Sequence, residues 1–463
     1  MTVSQKVAVK GQAAFLVEKP DKSIASLKEA LFHRSPSPCV TLILVFRMNP
    51  KTHRGLQELI QEDSTNYARI TELIARSGRE RCEDFREVWR GIAKNDQAEG
   101  SFEALPYVHM GIVQMDQEGL SELISGRGLE LLSHVGVNAN IGIPPMNGIA
   151  PQPFARAALR PRTPWWLRHS HLDDVFANGH FGKGEVVGVL DSGVFGNHPE
   201  LQGKVREFAH FDSRGVAIAK SPIDDAGCHG TKMCGLITGG STSSPLGSAP
   251  DAELVVARVL DGPLRNEQGT LGQIHAGANW ILGKKSGGLR ISIVNLSLEV
   301  LSSSAPYLAL TNTMQLLEFA GVQPVVAVGN CGPGSRSLLA GHGLSVGAHN
   351  ELGQVCNVSG DLPDLVAPGD DIECTQPPIP QLNGQSRDTY GGTSLSTALV
   401  SGTLAVLRAA SGKPIEDCVG ALLQAAQRAS GNHNRDARMG WGKVDAKMAL
   451  DILQQASGPV KRP

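Results

Sequence analysis

The sequence predicts an α/β protein: a doubly wound, mostly parallel sheet with helices on both faces, preceded by a smaller α+β N-terminal domain. In the second half, apolar runs of strand length, EVVGVL (185–190), ELVVARVL (253–260), ISIVNLSL (291–298) and PVVAVGN (324–330), alternate with helical segments at about 270–285 and 307–320. Runs that are apolar throughout, separated by helices, are what a parallel sheet covered on both faces requires. The first half has a different rhythm, and between the two lies a stretch, residues 144–164, rich in Pro and Arg and without any period, as a linker is.

Taken in order, residues 1–35 show no clear periodicity and read as an N-terminal extension. CVTLILVF, Cys39 to Phe46, is short, β-branched and apolar and ends at Asn49-Pro50, so it reads as a buried strand opening a domain over 36–143. From Thr52 to about Lys94, Leu56, Leu59, Ile60, then Ile70, Leu73, Ile74, then Phe85, Val88, Trp89 and Ile92 recur at spacings of three and four, which gives two helices or one long broken one. YVHMGIVQM (107–115), a helix opened by Asp116, and LELLSHVGVNANIGI (129–143) close the domain as strand, helix and strand.

The formal net charge of −2 supplies no basic field for nucleic acid, and no segment approaches the roughly 20 apolar residues of a membrane-spanning helix. The N-terminus lacks the apolar core of a signal peptide, so a cytoplasmic protein without nucleic-acid or membrane partners is expected. The eight cysteines have no CxxC pair or zinc-site spacing, which favours free thiols; neither metal nor cofactor is expected, and Asp224 and Asp225 read as solvated loop acids.

In open α/β sheets the functional residues gather at the carboxyl ends of the strands. The first strand of the large sheet runs into Asp191, His229 stands before a small-residue helix start, PVVAVGN ends in Asn330, and GGTSLSTALVSG sets Ser394 at a helix start. These are the parts of an acyl-transfer site: a hydroxyl, an imidazole to take its proton, a carboxylate to fix the imidazole, and an amide for the oxyanion. Singly, Asp191 reads as a turn residue, Asn330 as a loop residue and Ser394 as a helix cap; together, in this order, the acyl-transfer reading prevails. His198 and His275 lack such a context and read as structural or surface residues, and Cys228 and Cys331 as small buried hydrophobes.

The motifs and their order resemble the subtilisin-like serine proteases, the subtilase family. VVGVLDSGVFGNHPEL resembles the family's Asp motif, HGT (229–231) its His motif, AVGNCGP its oxyanion loop and GTSLSTALVSG its Ser motif; SAPDAELVVARVL, VAPG (366–369) and GWGKVDAKMAL also fit. The resemblance spans about 165–455, leaving a tail at 456–463, and implies a catalytic domain acting on polypeptides. It implies a triad of Asp191, His229 and Ser394 with Asn330 in the oxyanion hole, and a substrate-binding strand of Ser297, Leu298 and Glu299. It also makes the 36–143 domain similar to a propeptide, an intramolecular inhibitor or a retained regulator.

Three residues depart from the family pattern. Ala398 stands where a Pro is usual and preserves the helix, and Lys232 replaces a frequent second His outside the triad positions. Glu299 replaces a common Gly beside the groove, which narrows the cleft or favours a basic substrate side chain. A peptide ligase or cyclase using the same triad, and a catalytically silent binding protein on the same fold, are the alternatives to an endopeptidase.

Overall fold

The computed structural model describes residues 15–16, 40–48, 50–62, 66–92, 102–125, 128–143, 163–264, 266–300, 307–380, 384–431 and 434–463. Residues 144–162 of the expected linker, and all of the 1–35 extension except Phe15–Leu16, lie outside them.

Seven parallel strands form the large sheet, in the spatial order Leu365–Pro368, Leu344–His349, Gln323–Ala327, Ile291–Leu296, Val186–Asp191, Glu253–Arg258, Val205–His210. The chain enters at Val186–Asp191, fills one side, then crosses to Ile291–Leu296 and fills the other. The order therefore reverses between Val186–Asp191 and Ile291–Leu296, and a crevice opens at their carboxyl ends. All six residues of each of these two strands are buried, which explains why they read as continuous apolar runs. The expected doubly wound sheet is therefore the architecture of this part of the chain.

Helix Thr393–Ser411 crosses beneath the sheet against five of its strands, buried from Thr393 to Leu407. Its Ser and Thr residues are accommodated because their hydroxyls bond back one turn, as Thr397 does to the Thr393 carbonyl (2.8 Å) and Thr403 to Leu399 (2.8 Å). Small side chains let it lie close to helix His229–Thr238, which is buried along its whole length.

Ahead of this lies a five-stranded antiparallel sheet, ordered Phe15–Leu16, Leu132–Val137, Val40–Phe46, Met110–Met115, Phe102–Leu105. Helices Pro50–Glu62 and Tyr67–Ile92 cover it, so the charged stretch after the first strand holds two helices. Phe85 stacks with Phe46, Trp89 and Phe102 at 5.1–6.4 Å between ring centres and fills the space between sheet and helix.

Two sequence expectations are corrected here. The strand read from Tyr107 begins at Met110, because Pro106 opens a short 3-10 turn that closes on His109 in the left-handed region (φ 52°). The segment read as one strand over 129–143 splits into helix Gly128–Leu131 and strands Leu132–Val137 and Asn140–Gly142. The break falls at Asn138, whose side-chain oxygen accepts from the Gly272 N–H (2.7 Å) and whose amide donates to the Ser213 carbonyl (2.9 Å). Asn138 thus meets the start of helix Leu271–Ser286, and the strand after it leaves the N-terminal sheet altogether.

Candidate active site

Asp191 ends the strand at the switch point and is fully buried. Both its oxygens face Nδ1 of His229, at 2.8 and 3.0 Å, and Oδ1 also accepts from the Ser192 N–H at 2.7 Å. A carboxylate accepting at Nδ1 assigns the proton to that nitrogen and leaves the Nε2 lone pair as the ring's basic site. Burial opposes the charged imidazolium, but the Asp191 charge and hydrogen bond, with Glu267 adding to them, outweigh it and raise the His229 pKa above its usual value.

The loop ahead of His229 is braced by a residue that the sequence reading treated as solvated. Asp225 accepts from the Ser192 hydroxyl (2.7 Å) and the Thr231 N–H (2.8 Å), while Ser192 Oγ accepts from the Gly230 N–H (3.0 Å). Gly230 is required by contact, since a Cβ there would stand 2.0 Å from the Gly193 carbonyl oxygen. Asp224, its neighbour, pairs with Arg258 at 2.8 Å. On the other side, Glu267 is buried and accepts from the Cys228 N–H at 3.2 Å.

Ser394 lies in the first turn of helix Thr393–Ser411, where backbone N–H groups have no partner within the helix. Gly392 before it has φ 140°, a conformation that disfavours any side chain, and a Cβ there would meet the Asn330 amide nitrogen at 3.2 Å. Asn330 is oriented by its oxygen, which accepts from the Thr393 N–H (2.8 Å) and hydroxyl (2.9 Å). Its NH₂ group thereby lies over Gly392, two residues before Ser394.

Ser394 Oγ donates to the Ser297 carbonyl at 3.2 Å, and Ser297 Oγ donates to the Ser394 carbonyl at 2.9 Å. Behind them the buried Asn295 donates to Ser297 Oγ (2.9 Å) and accepts from Ser401 (3.0 Å), which ties the end of strand Ile291–Leu296 to the Ser394 helix. Of the strand read as substrate-binding, Ser297 and Leu298 are buried. Glu299 reaches the Gly329–Asn330 turn, where it accepts from the Asn330 backbone N–H.

Strand Asn140–Gly142 occupies the slot between Gln268–Thr270 and Glu299–Val300, antiparallel to both. Gly142 faces Gln268 on one side and Glu299 on the other, and the slot is extended by Ile143 N–H to the Glu267 carbonyl (3.2 Å) and Leu271 N–H to the Ala139 carbonyl (2.9 Å). Ile141 is fully buried within the apolar cluster that includes Leu271, Leu296 and Leu298.

The secondary candidates fall elsewhere. His198 and His275 are buried and bonded to the Ser386 carbonyl and the Thr313 hydroxyl, both at 2.8 Å, in keeping with structural roles. Lys232 is buried with its ammonium 3.6 Å from the centre of the Tyr390 ring, and its charge opposes protonation of His229. Cys228 is buried as expected, but Cys331 is exposed and is not a packing residue, because the turn after Asn330 faces outward. Glu267, Asn295 and the separate Asn140–Gly142 strand were not singled out from sequence, and Asp225, shortly before HGT, was read there only as a solvated loop acid.

Together these features define a doubly wound α/β protein with an Asp–His pair and a helix-borne serine at its switch point. The chain belongs to the subtilase family, whose profile matches residues 182–442. It is 29% identical over 253 residues to subtilisin amylosacchariticus of Bacillus subtilis subsp. amylosacchariticus, covering 53% of this chain and 60% of that protein. It is 30% identical over 250 residues to subtilisin Savinase of Lederbergia lenta, covering 53% of this chain and 84% of the other. An alkaline protease of Alkalihalobacillus alcalophilus is also 30% identical over 250 residues, with 53% and 59% covered. The chain thus spans about 60% of the length of the first of these relatives.

Proposed function

We propose that the protein is a serine endopeptidase that hydrolyses peptide bonds, with Ser394 as nucleophile. The observation that carries this is the fully buried Asp191 holding His229 Nδ1 at 2.8 Å, at the same end of the sheet as Ser394. In this reading His229 Nε2 takes the Ser394 proton as Oγ attacks the substrate carbonyl, and Asp191 stabilises the imidazolium. The Asn330 NH₂ and the Ser394 N–H donate to the oxyanion. As the tetrahedral intermediate collapses, the C–N bond breaks and the imidazolium gives its proton to the leaving amine. Water, deprotonated by His229, then attacks the acyl ester and releases the carboxylic acid, with the proton returning to Ser394.

The N-terminal domain is read as an intramolecular inhibitor or regulator. Support comes from strand Asn140–Gly142, which fills the slot that an extended substrate would occupy by main-chain pairing. A polypeptide substrate must then displace this strand or await its removal.

Purified wild type and Ser394→Ala, incubated with casein and followed by N-terminal sequencing, test both parts. Casein hydrolysis by wild type alone is expected; hydrolysis by neither protein, after proteolytic removal of the N-terminal domain as well, contradicts the enzyme reading. A new N-terminus after residue 143 in wild type alone identifies a propeptide, and an intact chain in both identifies a retained regulator.

A further inference from the structure

Among the described residues, Glu299 carries an unusual burden for a cleft residue. Its Oε2 is buried and makes no hydrogen bond, whereas the carboxylate otherwise accepts from the Asn330 backbone N–H. Its Oε1 lies 3.2 Å from the point that a Cβ on Gly329 would occupy, so the group rests against the turn that carries Asn330. Burial raises its pKa, and among the described residues no cation offsets that rise. Leaving a half-buried carboxylate oxygen unpaired costs free energy unless something arrives to pair with it.

The strand register says what arrives. Ile141 faces Val300 and Gly142 faces Glu299, so a peptide bound in the same antiparallel register has its position two beyond Gly142 opposite Ser297. The Ser297 carbonyl is 3.2 Å from Ser394 Oγ, so that position presents its own carbonyl to the serine. Side chains directly opposite, and those two residues along, share one face of a sheet. The side chain on the residue that supplies the scissile carbonyl is therefore a diagonal neighbour of Glu299, about 7–8 Å away between backbones, within reach of a long side chain.

We propose that Glu299 is the recognition group for a lysine or arginine on the residue that supplies the scissile carbonyl, which makes the preferred substrate a polypeptide cleaved after a basic residue. This rests on the proteolytic reading of the site. The cation would satisfy Oε2 and would also neutralise a negative charge standing beside the developing oxyanion, where an unpaired carboxylate opposes the reaction. Among the described residues the protein's own strand supplies neither benefit, since Gly142 faces Glu299. An incoming basic peptide thus gains a contact that the resident strand lacks.

The test uses the full-length chain and two readouts. Fluorogenic peptides differing only in Arg, Lys, Leu or Glu before the scissile bond are compared for kcat/KM, and peptide aldehydes ending in argininal or leucinal compete with a fluorophosphonate for Ser394. In wild type the basic members are expected to win by at least tenfold in both readouts, and in Glu299→Gln the ratio is expected to fall to about one. Labelling of Ser394 with no advantage for argininal, or an advantage that persists in Glu299→Gln, overturns this proposal and leaves the proteolytic reading standing. Failure of Ser394 to label at all, after proteolytic removal of the N-terminal domain as well, removes the proteolytic reading and this proposal with it.

Discussion

Each functional side chain is held by a neighbour whose removal has a distinct signature. Asn330 is aimed by two bonds from Thr393, so Asn330→Ala keeps the fold and loses one oxyanion donor. Turnover is expected to fall on the order of 10²–10³, the loss known for the equivalent deletion in subtilisin, with KM little changed. His229 must be neutral to act, and its pKa is raised, so activity rises with pH along a limb whose midpoint lies above the ordinary histidine value of about 6.5. A pH profile of kcat/KM on a neutral peptide checks this; a midpoint below about 6.5 contradicts it. The positions of Asp191, His229, Asn330 and Ser394 at strand ends and helix starts were legible in sequence because each sits inside a short local motif. Asp225 and Glu267 were not, because their partners are fixed by loop packing, and Glu267 is 39 residues from the N–H it accepts from.

At the scale of elements, burial made only some strands legible, since Leu344–His349 and Leu365–Pro368 are buried throughout and were not read as strands. Val186–Asp191 and Ile291–Leu296 are buried on both faces and showed as continuous apolar runs, whereas the edge strand Val205–His210, VREFAH, is only partly buried and mixes charges with apolar residues. The split at Asn138 was hidden because Leu, Val and Ile recur on both sides of it, and the signal that parts the two strands is a side chain reaching the start of a helix 134 residues on. The Asn140–Gly142 strand is held by main-chain pairing on both sides and by the buried Ile141. Ile141→Asp puts a charge into an apolar site and should loosen the strand. Cleavage of an added short peptide is then expected to rise severalfold over wild type, measured at equal Ser394 content; an unchanged or lower rate in a folded variant contradicts an inhibitory role for the strand.

At the scale of the molecule, the N-terminal sheet and its helices share an apolar core with the large sheet, with Ile43, Ile74, Val108 and Ile112 in one cluster with Ile274, Leu282 and Leu310. Polar contacts reinforce it: Asn279 accepts from the Tyr107 N–H and Asn312 donates to the Val108 carbonyl, both at 2.8 Å. His275, fully buried beside Thr313, has its pKa pushed down to about 3 by burial, and His349 to about 4. The folded chain keeps both neutral while the unfolded chain protonates them near pH 6.5, so their contribution is whole above that value and is lost as pH falls toward their folded values. Each removes up to about 1.4 kcal/mol per pH unit in that window. Thermal unfolding at pH 7 and pH 5 is therefore expected to show a drop that is smaller in His275→Gln, and an equal drop in both proteins contradicts the assignment. The central claim, that Asp191 and His229 activate Ser394, is tested most directly by mapping the site of fluorophosphonate attachment and its rate in wild type and Asp191→Asn. The account predicts a single adduct on Ser394, formed orders of magnitude more slowly in Asp191→Asn; an adduct on another residue, or equal rates in the two proteins, would contradict it.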